Sequence, residues 1–202
     1  MLTREEVRHR LARARRHAHG LPAIGAAWLH GDEGAGEADR TPAAVLVPIV
    51  ERPEGSAILL TQRTDHLHDH AGQICLPGGR IEPEDTSVVA AALREAEEEI
   101  GLDPKTVEII GELAPYDTIT GFRIHPVVGW IEPPLSLHPD PHEVAEVFEV
   151  PLRFVLDPAN HRRQTYRRGA LTRAYYVLPY EGQFIWGATA GILVNLATVL
   201  RA

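Results

Sequence analysis

Three glutamates, Glu95, Glu98 and Glu99, stand at spacing i, i+3, i+4 in the run S-V-V-A-A-A-L-R-E-A-E-E-E-I-G from Ser87 to Gly101. On a helix that spacing gathers them on one side, with Cβ atoms about 5–6 Å apart. Like charges that close oppose an isolated helix by a few tenths of a kcal/mol per pair, roughly, and the helix macrodipole disfavours negative charge in its last turns. Arg94 reaches Glu98 at i, i+4, but one guanidinium cannot neutralise three acids, whereas a divalent cation can. Carboxylate oxygens favour Mg²⁺ or Mn²⁺ over zinc, which prefers His and Cys. A solvated acidic face laced by salt bridges is the other reading of the same helix. The preceding Pro77-Gly78-Gly79 tips the balance, because glycines allow close backbone approach and can turn a carbonyl or amides toward a metal and its phosphates.

The elements around this stretch must hold it in place. Thr86 or Ser87 can cap the helix, and Gly101 can end it at a left-handed C′ position before Pro104. Helical periodicity buries Val89, Ala92, Leu93, Ala96 and Ile100, and leaves the three acids facing solvent and metal. Ahead of it, Ala43–Val50 is a continuous apolar run suited to a doubly buried strand, and Ala57–Gln62 is expected as its hairpin partner. Strands are also expected at Val107–Leu113, Ile124–Ile131 and Val147–Val150, with a helical turn at Leu152–Leu156. Ala174–Tyr180 and Phe184–Trp186 read as a hairpin, followed by a closing helix from Ala188 to Leu200. Thr3 and Glu6 fit a capping box opening a basic helix over residues 3–18, and residues 31–42 are an acidic, Gly-rich loop. Without regular βαβ alternation, the expected class is α+β, a mixed β-sheet flanked by helices.

Gly79, Asp85 and the run Arg94-Glu95-Ala96-Glu97-Glu98-Glu99-Ile100-Gly101-Leu102 resemble the Nudix box, G-x5-E-x7-R-E-U-x-E-E-x-G-U with U aliphatic. The first acidic position here holds Asp85 rather than Glu, and eight residues rather than seven separate it from Arg94. Upstream, L-L-T-Q-R-T-D-H-L-H-D-H-A-G-Q-I-C-L-P-G-G (Leu59–Gly79) is similar to a signature of the coenzyme A pyrophosphatase branch, with Thr64, His68 and Leu76 departing from it. Ile185-Trp186-Gly187-Ala188-Thr189-Ala190 is similar to the I-W-G-x-T-A segment of that branch.

The resemblance implies an α/β/α sandwich with the Nudix domain at 43–202, behind an amino-terminal helix and loop at 1–42. It implies a metal-dependent pyrophosphohydrolase that cleaves coenzyme A or its derivatives to 3′,5′-ADP and 4′-phosphopantetheine, or the acyl form of the latter. Gly79, Glu95, Glu98 and Glu99 would hold Mg²⁺ or Mn²⁺. Glu98 is either a ligand or the base that activates water, and Glu143 (slightly ahead of Glu146) is a base candidate outside the box. Arg63, His70, Gln73 and Gly78 are the substrate-side candidates. Trp186, Tyr116, Tyr175 and Tyr176 are candidates to stack on adenine, with core packing the safer assignment for most of them. Two rivals remain at this stage: a Nudix hydrolase for ADP-ribose or another nucleoside diphosphate derivative, and a non-catalytic Nudix-fold nucleotide-binding module.

Composition sets the outer limits. The 202 residues carry net charge −8, which gives no cationic field for coating nucleic acid. The single cysteine, Cys75, excludes an intrachain disulfide framework and reads as a small core residue. Gly182–Leu200 is uncharged but contains Gln183, Thr189, Asn195 and Thr198, so a buried helix is expected and not a membrane span. The alternating His66, His68 and His70 lack the further ligands of a zinc site. A cytoplasmic protein with a small nucleotide substrate and no nucleic-acid or membrane partner is expected, with a homodimer left open. The basic helix at 3–18 is the one feature that suggests membrane or nucleic-acid binding, against a packed helix at the core edge.

Overall fold

The residues of Ala43–Val50 are buried from end to end, as a strand covered on both faces requires. A computed structural model describes residues 2–17, 24–25, 40–66, 71–168 and 171–202. The elements run α1 (Arg4–His17), β1 (Ile24–Gly25), β2 (Thr41–Val50), β3 (Ala57–Arg63), β4 (Ile74–Cys75), β5 (Gly78–Arg80) and α2 (Val88–Ile100). They continue with β6 (Val107–Glu112), β7 (Tyr116–Asp117), β8 (Phe122–Ile131), β9 (Val144–Pro151) and α3 (Leu152–Leu156). The chain closes with β10 (Arg162–Arg168), β11 (Leu171–Tyr180), β12 (Gln183–Trp186) and α4 (Gly187–Arg201).

Among the described residues nine strands form one mixed sheet, and β10, β11 and β12 form a second, antiparallel one. β2 pairs in parallel with β8 over its whole length, from Thr41↔Phe122 to Val50↔Ile131. Alternation along β2 divides the core. Ala44, Leu46 and Val50 meet Ala92, Ala96 and Ile100 of α2, while Val45, Val47 and Ile49 belong with Leu11 of α1 and Leu193 and Leu196 of α4. The sheet thus lies between α2 on one face and α1 and α4 on the other, which is the helix–sheet–helix layering expected.

The amino-terminal helix is built into this body. Thr3 N donates to Glu6 Oε2 at 2.7 Å and Glu6 N to Thr3 Oγ1 at 3.3 Å, completing the capping box. Val7 and Leu11 are buried, and Gly111 on β6 makes room: a Cβ there would lie 2.9 Å from Leu11 Cβ. Arg4 bridges Glu108 (2.9 Å) and Glu132 (2.6 Å), and Arg8 also binds Glu108. Arg10 and Arg13 donate to the carbonyls of Leu200 and Ala202, where cations complement the end of α4. These arginines fasten the helix to β6 and α4, as a packed helix and not a free basic face would have it.

Several boundaries differ from the sequence reading. The strand begins at Thr41, so the loop read as 31–42 is shorter; residues 31–39 lie outside the described residues. β3 meets β2 only at Ile49↔Ile58 and Val50↔Ala57, and its full-length partner is β9. A hairpin register past the turn is replaced because β8 and β5 take the two edges of β2. β9 starts at Val144, three residues before the expected Val147, and β10 was not anticipated. No helix among the described residues is long and apolar enough to cross a membrane; α4 packs its apolar side inward.

Candidate functional site

The site starts from the ends of α2. Ser87, not Thr86, is the N-cap, its hydroxyl accepting from Ala90 N at 3.1 Å. Gly101 takes φ 65° at the other end, and a Cβ there would also collide with the His138 backbone. The segment after β8 satisfies the last helical carbonyls: His138 N donates to Ile100 O (2.8 Å) and Asp140 N to Glu99 O (2.9 Å). That docking brings Glu143 round to the end of β3, where Thr64 N donates to its carbonyl at 3.0 Å.

The three glutamates do not share one solvent side. Glu98 is exposed, with 60% of its side chain accessible, whereas Glu99 is 6% exposed and buried. The reason is helical phase: Glu99 follows Ala92 by seven and Ala96 by three, so it lies on the buried stripe between α2 and the sheet. Its carboxylate accepts from Gly78 N (3.2 Å to Oε2) and from Arg63 Nη1 (3.4 Å to Oε1). The same Nη1 is 3.8 Å from Glu143 Oε2. Burial pushes the Glu99 carboxyl up to about 7, against the pull of the Gly78 amide and Arg63, and the charges of Glu95 and Glu143 add to the rise. Burial also raises Glu95, which Arg94 draws the other way.

Two glycines bring the loop this close. A Cβ at Gly78 would lie 2.6 Å from Val45 Cα, inside the β2 backbone, and a Cβ at Gly79 would lie 2.5 Å from Glu95 Cδ. Arg94 then ties the acids together. It donates to Glu95 Oε1 (2.9 Å), Glu98 Oε2 (2.9 Å) and the Arg80 carbonyl (3.1 Å), and grips Asp85 through Nε and Nη2 at 3.0 Å each. Asp85 therefore has a defined structural place despite the shorter side chain and the extra residue before Arg94. Its carboxyl is held below the usual range by Arg94 and by the Glu82 amide.

Chemically this is a cluster of carboxylate oxygens, Glu95, Glu98, Glu99 and Glu143, around a glycine loop, with mutual repulsion that a divalent cation would relieve. Among the described residues no three His, Cys, Asp or Glu side chains already converge as a ligand set; Arg63 and Arg94 engage these carboxylates instead. The donor types, the burial of Glu99 and the glycine cradle fit a divalent cation taken by oxygen ligands.

The remaining candidates fall in different places. Gln73 joins the site strand through its carbonyl, which accepts from Arg63 N at 2.9 Å. His70, with His68, lies outside the described residues. Glu146 is separated from Glu143: its Oε2 accepts from Gln183 Nε2 of β12 at 3.4 Å, on the α4 side of the sheet. Cys75 is half-buried as a whole, and burial of its thiol pushes the pKa up to about 11, which suits an inert residue. Tyr116 is in the core under Gly191, as expected. Tyr176 and Trp186, by contrast, are exposed, Trp186 by 40% with Tyr175 edge-on to it at 6.1 Å. They sit on the β11–β12 hairpin, which the sequence pattern does indicate, in a second sheet that β10 completes. The Asp85–Arg94 ion pair joins two residues nine apart, and their spacing alone does not show that they touch.

Comparison with known proteins bears on the family and the fold. The family model for the NUDIX domain matches residues 40–168. A protein of Escherichia fergusonii named as an uncharacterized Nudix hydrolase, NudL, is 51% identical over 156 residues, covering 77% of this chain and 80% of that protein. The NudL of Yersinia enterocolitica is 45% identical over 155 residues, covering 77% and 79%. Among solved structures, a Nudix hydrolase from M. smegmatis, RenU, superimposes with TM-score 0.56 at 23% identity, covering 87% of this chain and 94% of that one. The last likeness bears on the fold alone.

Proposed function

The chain belongs to the Nudix hydrolase family, and from that footing we propose that it hydrolyses the diphosphate of coenzyme A or a coenzyme A derivative, releasing 3′,5′-ADP and 4′-phosphopantetheine or its acyl form. Members of the family generally work with a divalent metal ion. In this reading Glu95, Glu99 and the Gly79 carbonyl hold Mg²⁺ or Mn²⁺, and Glu98 is a further ligand or a base. A bound cation there would offset charge on the diphosphate and make the attacked phosphorus more electrophilic.

The protein's own groups do the rest. Arg63 supports the reading most directly: it ends the L-L-T-Q-R run shared with the coenzyme A branch, and it lies against Glu99 and Glu143. Its Nε is buried with no hydrogen-bond partner among the described residues, an unsatisfied donor on that side chain. Gln73 and Gly78 are the further substrate-side residues of this reading, and His70 lies between Arg63 and Gln73 in sequence. Glu143, half-exposed beside Arg63, takes the proton of the attacking water as that water bonds to phosphorus and the bridging oxygen leaves. Glu98 is the alternative for that proton. Arg94 keeps Glu95 and Glu98 oriented.

A substrate panel tests this. Coenzyme A, its acyl and disulfide forms, ADP-ribose and a dinucleoside polyphosphate are incubated with protein and Mg²⁺, and the products are separated. Faster turnover of a coenzyme A form than of the others is expected. Much faster turnover of ADP-ribose refutes the substrate assignment, and no turnover of any of them, with tight binding of one, points to a binding module.

A further inference from the structure

β4 is a two-residue strand, and it carries the chain straight into Pro77-Gly78-Gly79. Its pairing with β3 uses Thr61↔Cys75 and Gln62↔Ile74, with Arg63 N donating to Gln73 O. In that ladder the carbonyl of Ile74 points away from β3, toward an edge with no further hydrogen-bonded strand among the described residues. An edge carbonyl buried without a partner is costly, and Ile74 is 5% exposed. The partner comes from 115 residues further along: Thr189, in the first turn of α4, donates its hydroxyl to Ile74 O at 3.1 Å. Thr189 is itself buried, at 8% exposure, so water does not compete for either group. On the other side of the same strand, Thr61 Oγ1 lies 3.4 Å from Cys75 O. Two threonine hydroxyls thus hold consecutive carbonyls of the strand that feeds the glycine loop.

We propose that Thr189 is a positioning residue for the hydrolytic site: its hydroxyl fixes β4, and through β4 the Gly78 amide that meets Glu99 and the Gly79 backbone that meets Glu95. The effect is transmitted over a short path. Ile74 is four residues from Gly78, and Pro77 O accepts from Leu46 N at 2.8 Å as a second anchor on β2, so β4 and β2 together set where the glycine loop lies. This rests on the assignment of the Glu95–Glu99 cluster as the reacting site, but not on the identity of the substrate.

The test compares Thr189→Val, which keeps shape and removes the hydroxyl, with Thr189→Ser, which keeps the hydroxyl. Thr198 supplies the control: its hydroxyl also donates within α4, to Val194 O at 2.9 Å, far from the loop in sequence and exposed. Turnover is measured on the best substrate of the panel, and amide hydrogen exchange at Gly78 is followed by NMR without substrate. Thr189→Val is expected to lower kcat about tenfold with KM changed less, and to speed Gly78 exchange; Thr189→Ser restores both, and Thr198→Val changes neither. Should Thr189→Val not fold, Thr189→Ala, which relieves any strain from the added methyl, takes its place in the same comparison. Unchanged Gly78 exchange and kcat within twofold of wild type in a folded variant overturns the proposal, as does a Thr189→Ser variant as impaired as Thr189→Val. Failure of the substrate assignment would appear in the panel and leave the exchange result standing, so the two are separable.

Discussion

Replacing Gly79 by alanine separates the fold of this site from its chemistry. The new Cβ would lie 2.5 Å from Glu95 Cδ, with the two carboxylate oxygens at 2.5 and 2.6 Å. Ordinary carbon contacts begin near 3.5 Å, so the carboxylate must move by about 1 Å. It can do so at modest cost, because it is the far end of a flexible side chain and Arg94 keeps its other carboxylate partners, so stability changes by about 1 kcal/mol. A displacement of about 1 Å at a reacting centre costs on the order of a hundredfold in rate. Gly78→Ala is the counterpart: its Cβ would press on Val45 Cα at 2.6 Å, at φ 155°, and backbone cannot rotate away. That variant should lose roughly 2–4 kcal/mol of stability as well as activity. The assays are denaturant unfolding without metal and initial rates with Mg²⁺ at saturating substrate. Gly79→Ala that keeps more than a third of wild-type kcat, or that unfolds as readily as Gly78→Ala, refutes this account of the loop.

Three further outcomes follow from the same coordinates. Glu143→Gln, beside Arg63, should lower kcat by about 10²-fold, whereas Glu146→Gln, which faces Gln183, should stay within twofold; steady-state rates of the pair decide it. Leu11→Ala removes a side chain 1% exposed from the contact of α1 with β6 and should cost about 3 kcal/mol in urea unfolding, while loss of under 0.5 kcal/mol would show a helix only laid on the surface. With its pKa raised from 9.0 to about 11, the Cys75 thiol carries about a hundredfold less thiolate at pH 8 than an unperturbed one, and since a more basic thiolate is also more nucleophilic, alkylation followed by mass spectrometry should be slower by about tenfold or more.

Helix α2 was legible in sequence because its caps and its apolar stripe are local signals: Ser87, Gly101 and the alanines specify it without the rest of the chain. Glu99 was misplaced for a related reason. Its phase put it with Ala92 and Ala96, but its charge argued for water, and only the Gly78 amide and Arg63, brought in by other elements, make its burial tolerable. The second sheet was half-hidden because β10, R-R-Q-T-Y-R-R, has no apolar face to announce a strand. The early start of β9 escaped notice because Glu143 and Glu146 surround Val144 with acid. Sequence put Glu143 only slightly ahead of Glu146; the turn before Val144 places the first against Arg63 and strand alternation sends the second across the sheet. The pairing of β2 with β8 joins segments some eighty residues apart, and no local pattern encodes it.

The cation assignment is tested most directly by diffraction from crystals soaked in Mn²⁺ at neutral pH, with data collected for anomalous signal. A peak within coordinating distance of Glu95 and Glu99 oxygens and the Gly79 carbonyl, lost in Glu99→Gln crystals grown the same way, is the predicted result. Manganese bound elsewhere, or an unchanged peak in the Glu99→Gln protein, contradicts it.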